Sequence, residues 1–530
     1  MGDVKKRKNS SSEKEFWVLP LPKWDRSEKE LSIRVLASKQ SIEDIDFKGK
    51  RVLCRVDYNV PIKDGKVTDP TRIIASLDSI KYMLSNKKRL PKCIVLICHL
   101  GRPGGKFKKE DFSLTRVASL RGEYFKDYAP VKFLDECVGP TIEEEINSTE
   151  ECTVYLCENL RFHIEECGSS VNYKGEKKKA IPEAVQRFRK ALTQLGDVYV
   201  FEAFGAAHRP HSSVVGIDLP QRVAGLLVKK ELTYYSKVLG NSNRPFLAMI
   251  GGSNVFIAGG MAYTFKKVCD GVDIGSSLFD KEGAKIVGSI MEEAELQGVT
   301  ITFPTDHVIA DRFAPDAQVQ YVDDSEGIPK GWMALDVGRK SIESSSRTMT
   351  TTMIVNGPLG VFEFAAFAKG TEQAMVEMVK ATAMGCTTII GGGDTGAASR
   401  KFKVGSLPVA EQISHASTGG GSSLVLMEGK MLPGVANLSE KTDLPPDHID
   451  YATMWMETKA MKREQQALKR QVANLEASLK KSNEMLAAGP NNRGSGEERR
   501  PLQTSTLWEE YRSEILLGMG AIAWMLLSRR

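Results

Sequence analysis

Short apolar runs alternate with amphipathic segments of helical period from residue 49 onward. Strands that alternate with helices are typical of parallel sheets covered by helices. The apolar runs in the first part of the chain cover residues 51–56, 93–98, 153–156 and 198–204. The helical patterns between them cover residues 71–84, 114–124 and 181–195.

A second series of the same kind begins at residue 245. A long amphipathic segment, 226–239, separates the two series and predicts a helix between two domains. We therefore predict an α/β protein with two doubly wound parallel-sheet domains joined by a hinge helix, plus a C-terminal helical extension. The strand patterns of the second series cover residues 246–250, 300–303, 352–355 and 387–390, and its helical patterns cover 281–297 and 370–384.

Composition and charge are those of an ordinary globular protein and argue against a nucleic-acid-binding one. The chain has 530 residues, of which 41% are hydrophobic and 26% charged, as in an ordinary globular protein with a large core. A net charge of +6 is small for this length, so we expect no nucleic-acid partner. The nine cysteines form no C-x-x-C pair and lie mostly in apolar runs, which favours reduced thiols in an intracellular compartment.

The chain beyond residue 441 differs in character. Residues 454–486 follow a heptad-like spacing, which predicts either a helix docked on its own protein or a self-associating coiled coil. The apolar block 515–527 would form a helix of about 20 Å, which is shorter than a hydrocarbon core of about 30 Å. This length fits an interfacial helix, a buried docking helix or a short tail anchor. We predict membrane association through this block, in the cytoplasm or on a peroxisome-like organelle.

Anion-binding chemistry is predicted at the ends of several strands. Three apolar runs of the first series are followed closely by Arg102, Arg161 and Arg209. In the second series, Gly391-Gly392-Gly393-Asp394-Thr395 follows the run 387–390, and the backbone N–H groups of such a turn cradle phosphates. Ligands bind at the carboxyl ends of parallel strands. The first part is thus predicted to bind an anionic small molecule, and the second a nucleotide.

The glycine segment 391–396 also satisfies the G-x-G-x-x-G pattern of dinucleotide-binding proteins. That pattern belongs to a βαβ unit of about thirty residues. Here a second glycine cluster, 419–421, interrupts the unit. The sequence therefore disfavours a dehydrogenase.

The motifs taken together resemble the phosphoglycerate kinase family over roughly residues 43–441. The order and spacing of the motifs carry this resemblance, more than any one of them. They are Arg55-Val56-Asp57-Tyr58-Asn59-Val60-Pro61, Thr71-Arg72-Ile73, His99 to Pro103, Glu158 to Phe162, Ala203 to Arg209, Asn356 to Glu363, and Gly391 to Thr395.

The resemblance implies reversible phosphoryl transfer between ATP and 3-phosphoglycerate, with Mg²⁺ as the cofactor. It implies that Arg72 is catalytic and that Asp394 lies near the metal. The positions matching the family's acid-binding residues are Asp57, Asn59, Arg72, His99, Arg102, Arg161 and Arg209. Those matching its nucleotide-binding residues are Asn356, Glu363, Gly392, Gly393, Asp394 and Thr395.

The resemblance and the sequence patterns together set the expected domain boundaries. The tail that follows the second domain is expected to return to the first. In chain order we expect a flexible arm (1–42), a 3-phosphoglycerate-binding domain (43–226), the hinge helix (227–243), a nucleotide-binding domain (244–422), the returning tail (423–441), the heptad-like helix (447–488), a linker (489–504) and the C-terminal helix (505–530).

The chain departs from the family pattern just after residue 250. Family members have a lysine where this chain has Asn254, and a second lysine in a helical segment that is missing after Val255. A parallel crossover needs about a dozen residues, so the runs 246–252 and 256–260 are not expected to be neighbouring parallel strands. They are expected to fuse, to pair as a hairpin, or to reflect missing coding sequence.

The loss of these lysines leaves a second interpretation of the chain open. It is a catalytically impaired member of the family that binds 3-phosphoglycerate and acts as a membrane-tethered binding or scaffold protein.

Overall fold

The computed structural model describes residues 38–441, apart from 126, 172–175, 241–245, 250–253, 297, 347–351 and 429. Several predictions fall outside the described residues. They concern most of the arm 1–42, the helix 447–488 with its self-association through 454–486, the linker 489–504, and the helix 505–530 with its membrane contact through 515–527.

Six parallel strands form the sheet of the first half of the chain (residues 43–226). Successive residues of one strand, such as Leu53 and Cys54, belong to two different hydrophobic clusters. Both faces of the sheet are therefore covered, which explains why its strands are apolar runs. In spatial order the strands are Arg222–Ala224, Val198–Glu202, Arg51–Val56, Cys93–Ile97, Thr153–Cys157 and Val131–Leu134.

A second sheet of six parallel strands lies in the second half of the chain (residues 244–422). The two sheets confirm the predicted α/β fold class. In spatial order the strands are Thr300–Thr302, Asn254–Phe256, Phe246–Met249, Thr352–Asn356, Thr387–Gly391 and His415–Ala416.

The prediction that the runs around residue 250 cannot be parallel neighbours is wrong. Phe246–Met249 and Asn254–Phe256 pair in parallel, with Leu247 opposite Asn254. Asn254 therefore lies one strand spacing, about 4.8 Å, to the side of the strand that ends at Met249, and two residues, or about 7 Å, back along it. Residues 250–253 can span the resulting distance of roughly 8 Å, because each residue reaches about 3.8 Å. The rule of about a dozen residues applies to crossovers that contain a helix.

A third, antiparallel sheet was not predicted from the sequence. It consists of Val319–Asp323, Asp306–Ala310 and Met333–Val337 in spatial order. Val319–Asp323 is half-exposed and includes polar residues, so its sequence lacks the apolar run that predicts a buried strand.

Helices lie between the strands in both halves. Those of the first half are Thr71–Ala75, Leu77–Ser85, Lys109–Phe112, Thr115–Phe125, Pro140–Asn147, Ile164–Cys167, Pro182–Gln194 and Ser212–Val215. Those of the second half are Gly259–Cys269, Val287–Leu296, Arg339–Ser346, Lys369–Ala383, Gly393–Lys401 and Gly420–Met427. No helix in the described part of the chain is both long and apolar enough to cross a membrane.

One helix, Leu226–Gly240, follows the first sheet and is called the connecting helix below. Farther along the chain, residues 432–441 pack on the first half: the Gly434 N–H donates to the Ala207 carbonyl (2.9 Å) and the Ser439 N–H to the Arg222 carbonyl (2.7 Å). All nine cysteines lie in the described residues and none forms a disulfide, as expected of reduced thiols.

The connecting helix begins against a buried carboxylate. Glu202 is fully buried and accepts hydrogen bonds from the N–H groups of Leu227 (3.0 Å) and Val228 (3.4 Å) and from the Ser79 hydroxyl. Burial raises the pKa of Glu202 to about 7, although these hydrogen bonds act in the opposite direction.

This carboxylate should make stability fall as pH rises from about 5 through 7. Over that range native Glu202 holds a proton that the unfolded chain, with a glutamate pKa near 4.3, has released. Glu202→Gln cannot ionise, so it should reduce the slope by up to about 1.4 kcal/mol per pH unit. Urea denaturation between pH 5 and pH 8 measures this slope. The exposed control Glu292→Gln should keep the wild-type slope, and an unchanged slope in Glu202→Gln would contradict the assignment.

Candidate active site

A polar cavity of about 230 Å³ lies where strands of the first sheet end. Its lining contains all seven residues predicted to bind the acid. The lining residues are Asp57, Asn59, Arg72, His99, Gly101, Arg102, Arg161, Gly205, Ala206, His208 and Arg209. This cavity is called the anion pocket below.

Three loops of the anion pocket are linked by hydrogen bonds among its own residues. The Arg72 guanidinium donates to the Asp57 carboxylate (2.8 Å), and the Asn59 side-chain oxygen accepts from the Gly101 N–H (2.8 Å). Arg161 donates to the Gly101 carbonyl (2.8 Å). These contacts tie residues from three different strand ends to one another.

His99 is a neutral imidazole in this pocket. Burial, and then the charges of Arg55 and Arg161, hold the pKa of His99 well below its ordinary value. Arg55 Nη2 lies 3.0 Å from His99 Nδ1. Because a guanidinium only donates, Nδ1 is the acceptor and the proton of the neutral ring is on Nε2. His99 is therefore a donor for a bound anion.

The charge of the anion pocket is strongly positive. Its lining has four arginines and one aspartate, which gives a net charge of +3 with both histidines neutral. Burial and the charge of Arg209 lower the pKa of His208. The Nε atom of Arg161 is buried and has no hydrogen-bond partner among the described residues. An unpaired buried donor among arginines favours a ligand with acceptor oxygens.

The glycine turn (residues 391–395) lies at the corresponding edge of the second sheet. Gly391 is opposite Asn356 in the paired strands, and the Thr395 hydroxyl accepts from the Gly357 N–H (2.7 Å). Gly392 has φ +95°, and a Cβ there would lie 2.8 Å from the Asn356 side-chain oxygen. Both facts require glycine at this position.

The helix Gly393–Lys401 begins at the glycine turn, and Asp394 is exposed in its first turn. Glu363 is exposed as well and follows Phe362, whose carbonyl accepts from Lys401 Nζ (2.5 Å). The side-chain nitrogen of Asn356 is buried and has no hydrogen-bond partner among the described residues. The six predicted nucleotide residues thus lie on the glycine turn and on the segment that follows the strand ending at Asn356.

The second glycine cluster connects the anion pocket with the glycine turn. A Cβ at Gly420 would lie 2.5 Å from Gly392 Cα, and one at Gly419 would lie 3.0 Å from the Gly205 backbone. The His208 ring bonds to the Ser422 hydroxyl (3.0 Å). Because residues 419–422 contact both regions, the pocket and the turn are held close to each other.

Sequence reasoning missed several residues of the pocket. The lining also includes Gly101, Gly205, Ala206 and His208. Arg55 is not part of the lining, but its guanidinium contacts the ring of His99, which is. Arg55 is fully buried and bonds to the Ser213 hydroxyl (2.9 Å). A charged residue inside the apolar run 51–56 was the available signal, because a buried arginine needs acceptors around it.

The two parallel sheets, the anion pocket and the glycine turn define an α/β protein with a positively charged cavity close to a glycine turn. A family model described as phosphoglycerate kinase matches residues 42–430. Phosphoglycerate kinase of Saccharomyces cerevisiae is 49% identical over 426 residues, which cover 77% of this chain and 99% of the relative. The chain belongs to the phosphoglycerate kinase family.

Further relatives give the same result. Phosphoglycerate kinase of Yarrowia lipolytica is 48% identical over 425 residues, with 77% of this chain and 99% of the relative covered. The structure of phosphoglycerate kinase from Coxiella burnetii superposes with a TM-score of 0.59 at 30% identity and covers 75% of this chain and 98% of its own.

Proposed function

We propose that this chain is a phosphoglycerate kinase that transfers a phosphoryl group reversibly between ATP and the carboxylate of 3-phosphoglycerate. The anion pocket carries this proposal, because its charge matches the acid. At neutral pH a phosphate monoester has a charge of about −1.5 to −2 and a carboxylate adds −1, against +3 on the lining.

The acid is proposed to bind in the anion pocket through the arginines and the neutral His99. Arginine forks hold phosphate and carboxylate oxygens with paired hydrogen bonds. Arg161 has a buried Nε that still needs an acceptor, and His99 offers Nε2–H. Arg72 is held by Asp57 at the wall of the pocket and is proposed to neutralise the group being transferred.

The nucleotide is proposed to bind at the glycine turn, with Mg²⁺ on its phosphates. The N–H groups at the start of the helix Gly393–Lys401 favour phosphate oxygens. The exposed carboxylate of Asp394 is the hard oxygen ligand that Mg²⁺ prefers, so the residues present fit the ion. When bound, Mg²⁺ supplies positive charge to the phosphates.

The reaction needs no general base. The attacking carboxylate has a pKa near 4 and is already ionised at pH 7. One of its oxygens bonds to the γ-phosphorus as the bond from that phosphorus to the bridging β,γ-oxygen breaks, and ADP leaves with the electron pair. The residues therefore act by positioning the two ligands and by neutralising charge.

The second half is short of cations near the transferred group. The sequence has no lysine or arginine between Arg244 and Lys266, and the buried Lys266 is paired with Asp324. A preorganised cation contributes on the order of 10³ or more in rate at phosphoryl-transfer sites. We therefore expect slower turnover than in relatives that have a lysine there.

A coupled assay of the purified full chain with Mg²⁺, ATP and 3-phosphoglycerate tests the function. We expect turnover that depends on both substrates. Tight binding of 3-phosphoglycerate in isothermal titration calorimetry without any turnover would instead support a protein that only binds the acid. The predictions for residues 454–486 and 515–527 stay predictions.

A further inference from the structure

Asp69 and Arg400 form an ion pair between the two halves of the chain. Arg400 Nη2 lies 2.9 Å from Asp69 Oδ2, and 331 positions separate the two residues. Their side chains are 35% and 36% exposed, so water partly screens the charges. The pair is therefore weak enough to break and re-form.

Asp69 is fixed to the helix that carries Arg72. Its Oδ1 accepts hydrogen bonds from the Thr71 N–H (3.0 Å) and the Thr71 hydroxyl (2.5 Å), and Thr71 is the first residue of the helix Thr71–Ala75. Burial opposes ionisation of Asp69, but the Thr71 bonds and the Arg400 charge together lower its pKa. At neutral pH the other oxygen therefore presents a negative charge to Arg400.

Arg400 is fixed to the helix that begins at the glycine turn. It lies in the last turn of Gly393–Lys401, and its side chain runs back along that helix. A Cβ at Gly396 would lie 3.3 Å from Arg400 Nη1, so the absence of a side chain at Gly396 leaves room for the guanidinium. The ion pair thus connects the element that starts at the proposed nucleotide site with the element that carries Arg72.

We propose that the Asp69–Arg400 pair is a positioning contact that aligns the glycine turn with Arg72 for phosphoryl transfer. This inference rests on the proposed function. A partly exposed pair changes an equilibrium constant by up to about fivefold. We therefore expect this pair to change the fraction of molecules in which the halves are aligned, and not the folding of the chain. Neither residue lines the anion pocket, so binding of the acid alone does not depend on them.

A double-mutant cycle tests the pair kinetically. Asp69→Asn keeps the acceptor for Thr71 and removes the charge, and Arg400→Gln removes the partner. We expect each to lower kcat about three- to fivefold with the Kd of 3-phosphoglycerate unchanged, and the double variant to lose no more than either single one. Additive losses, or wild-type kcat in both single variants, would overturn the proposal. Arg339→Gln, which breaks the exposed Arg339–Glu343 pair (2.7 Å) within one helix, is the matched control and should keep wild-type kcat.

Small-angle X-ray scattering tests the same pair without requiring turnover. We expect 3-phosphoglycerate with Mg·ADP to reduce the radius of gyration of the wild-type chain, and to reduce that of Arg400→Gln less. Equal reductions would overturn the positioning role. If the wild-type chain shows no turnover in the coupled assay, the proposed function fails, and the scattering comparison still decides whether the pair aligns the halves.

Discussion

Arg72→Ala should lower kcat by a factor of about 10³ or more, the largest effect expected of any single substitution in the anion pocket. Arg72 donates to Asp57 (2.8 Å), so its guanidinium is preorganised at the pocket wall with 32% of the side chain exposed. Its removal also leaves Asp57 as an uncompensated negative charge beside an anionic substrate. We therefore expect weaker binding of 3-phosphoglycerate as well.

The coupled assay and calorimetry together measure these two effects. Arg187→Ala is the matched control, because Arg187 is exposed on the helix Pro182–Gln194 and does not line the anion pocket. It should keep wild-type kcat and affinity. A loss of less than tenfold in Arg72→Ala would show that Arg72 does not stabilise the transferred group.

Glu231→Ala should destabilise the protein by about 3–5 kcal/mol. Glu231 is fully buried on the connecting helix, where its carboxylate bonds to His415 Nε2 (2.7 Å) and accepts from the Thr418 N–H (2.8 Å) and hydroxyl (3.0 Å). Alanine leaves the buried His415 ring and the part-buried Thr418 N–H and hydroxyl without their partner, and a buried unsatisfied group costs about 1–3 kcal/mol.

Urea denaturation followed by circular dichroism measures this loss. Glu231→Gln keeps the shape and one acceptor oxygen, so it should lose clearly less than alanine. Lys230→Ala, exposed on the same helix, should change stability by less than about 0.5 kcal/mol. If Glu231→Ala unfolds at the wild-type urea concentration, the carboxylate does not hold the connecting helix to residues 415–418.

The fold class depends on local signals in the sequence, and so does the placement of the anion-pocket residues after the ends of strands. A strand buried on both faces is an apolar run, and the residues that follow such strands meet at one edge of the sheet. His99, Arg161 and Arg209 follow three separate strands and are brought into one cavity. Their juxtaposition follows from the strand order Val198–Glu202, Arg51–Val56, Cys93–Ile97, Thr153–Cys157, which the structure provides.

Three features could not be predicted from the sequence, because they depend on the tertiary structure. The parallel pairing of Phe246–Met249 with Asn254–Phe256 depends on a connection shorter than the usual crossover. The antiparallel sheet 306–337 has a half-exposed strand without a clear apolar period. The Asp69–Arg400 pair joins two exposed polar positions that no periodicity relates.

An arginine-lined pocket is proposed to bind the three-carbon acid beside the glycine turn, which is proposed to bind the nucleotide. A crystal structure of the full chain with 3-phosphoglycerate and Mg·ADP tests this proposal most directly. We predict the acid in the anion pocket, with Arg72, Arg161 and Arg209 within hydrogen-bond distance of its oxygens and the ADP phosphates at Gly392 and Gly393. Electron density for the acid elsewhere, or these three arginines turned away from it, would contradict the account.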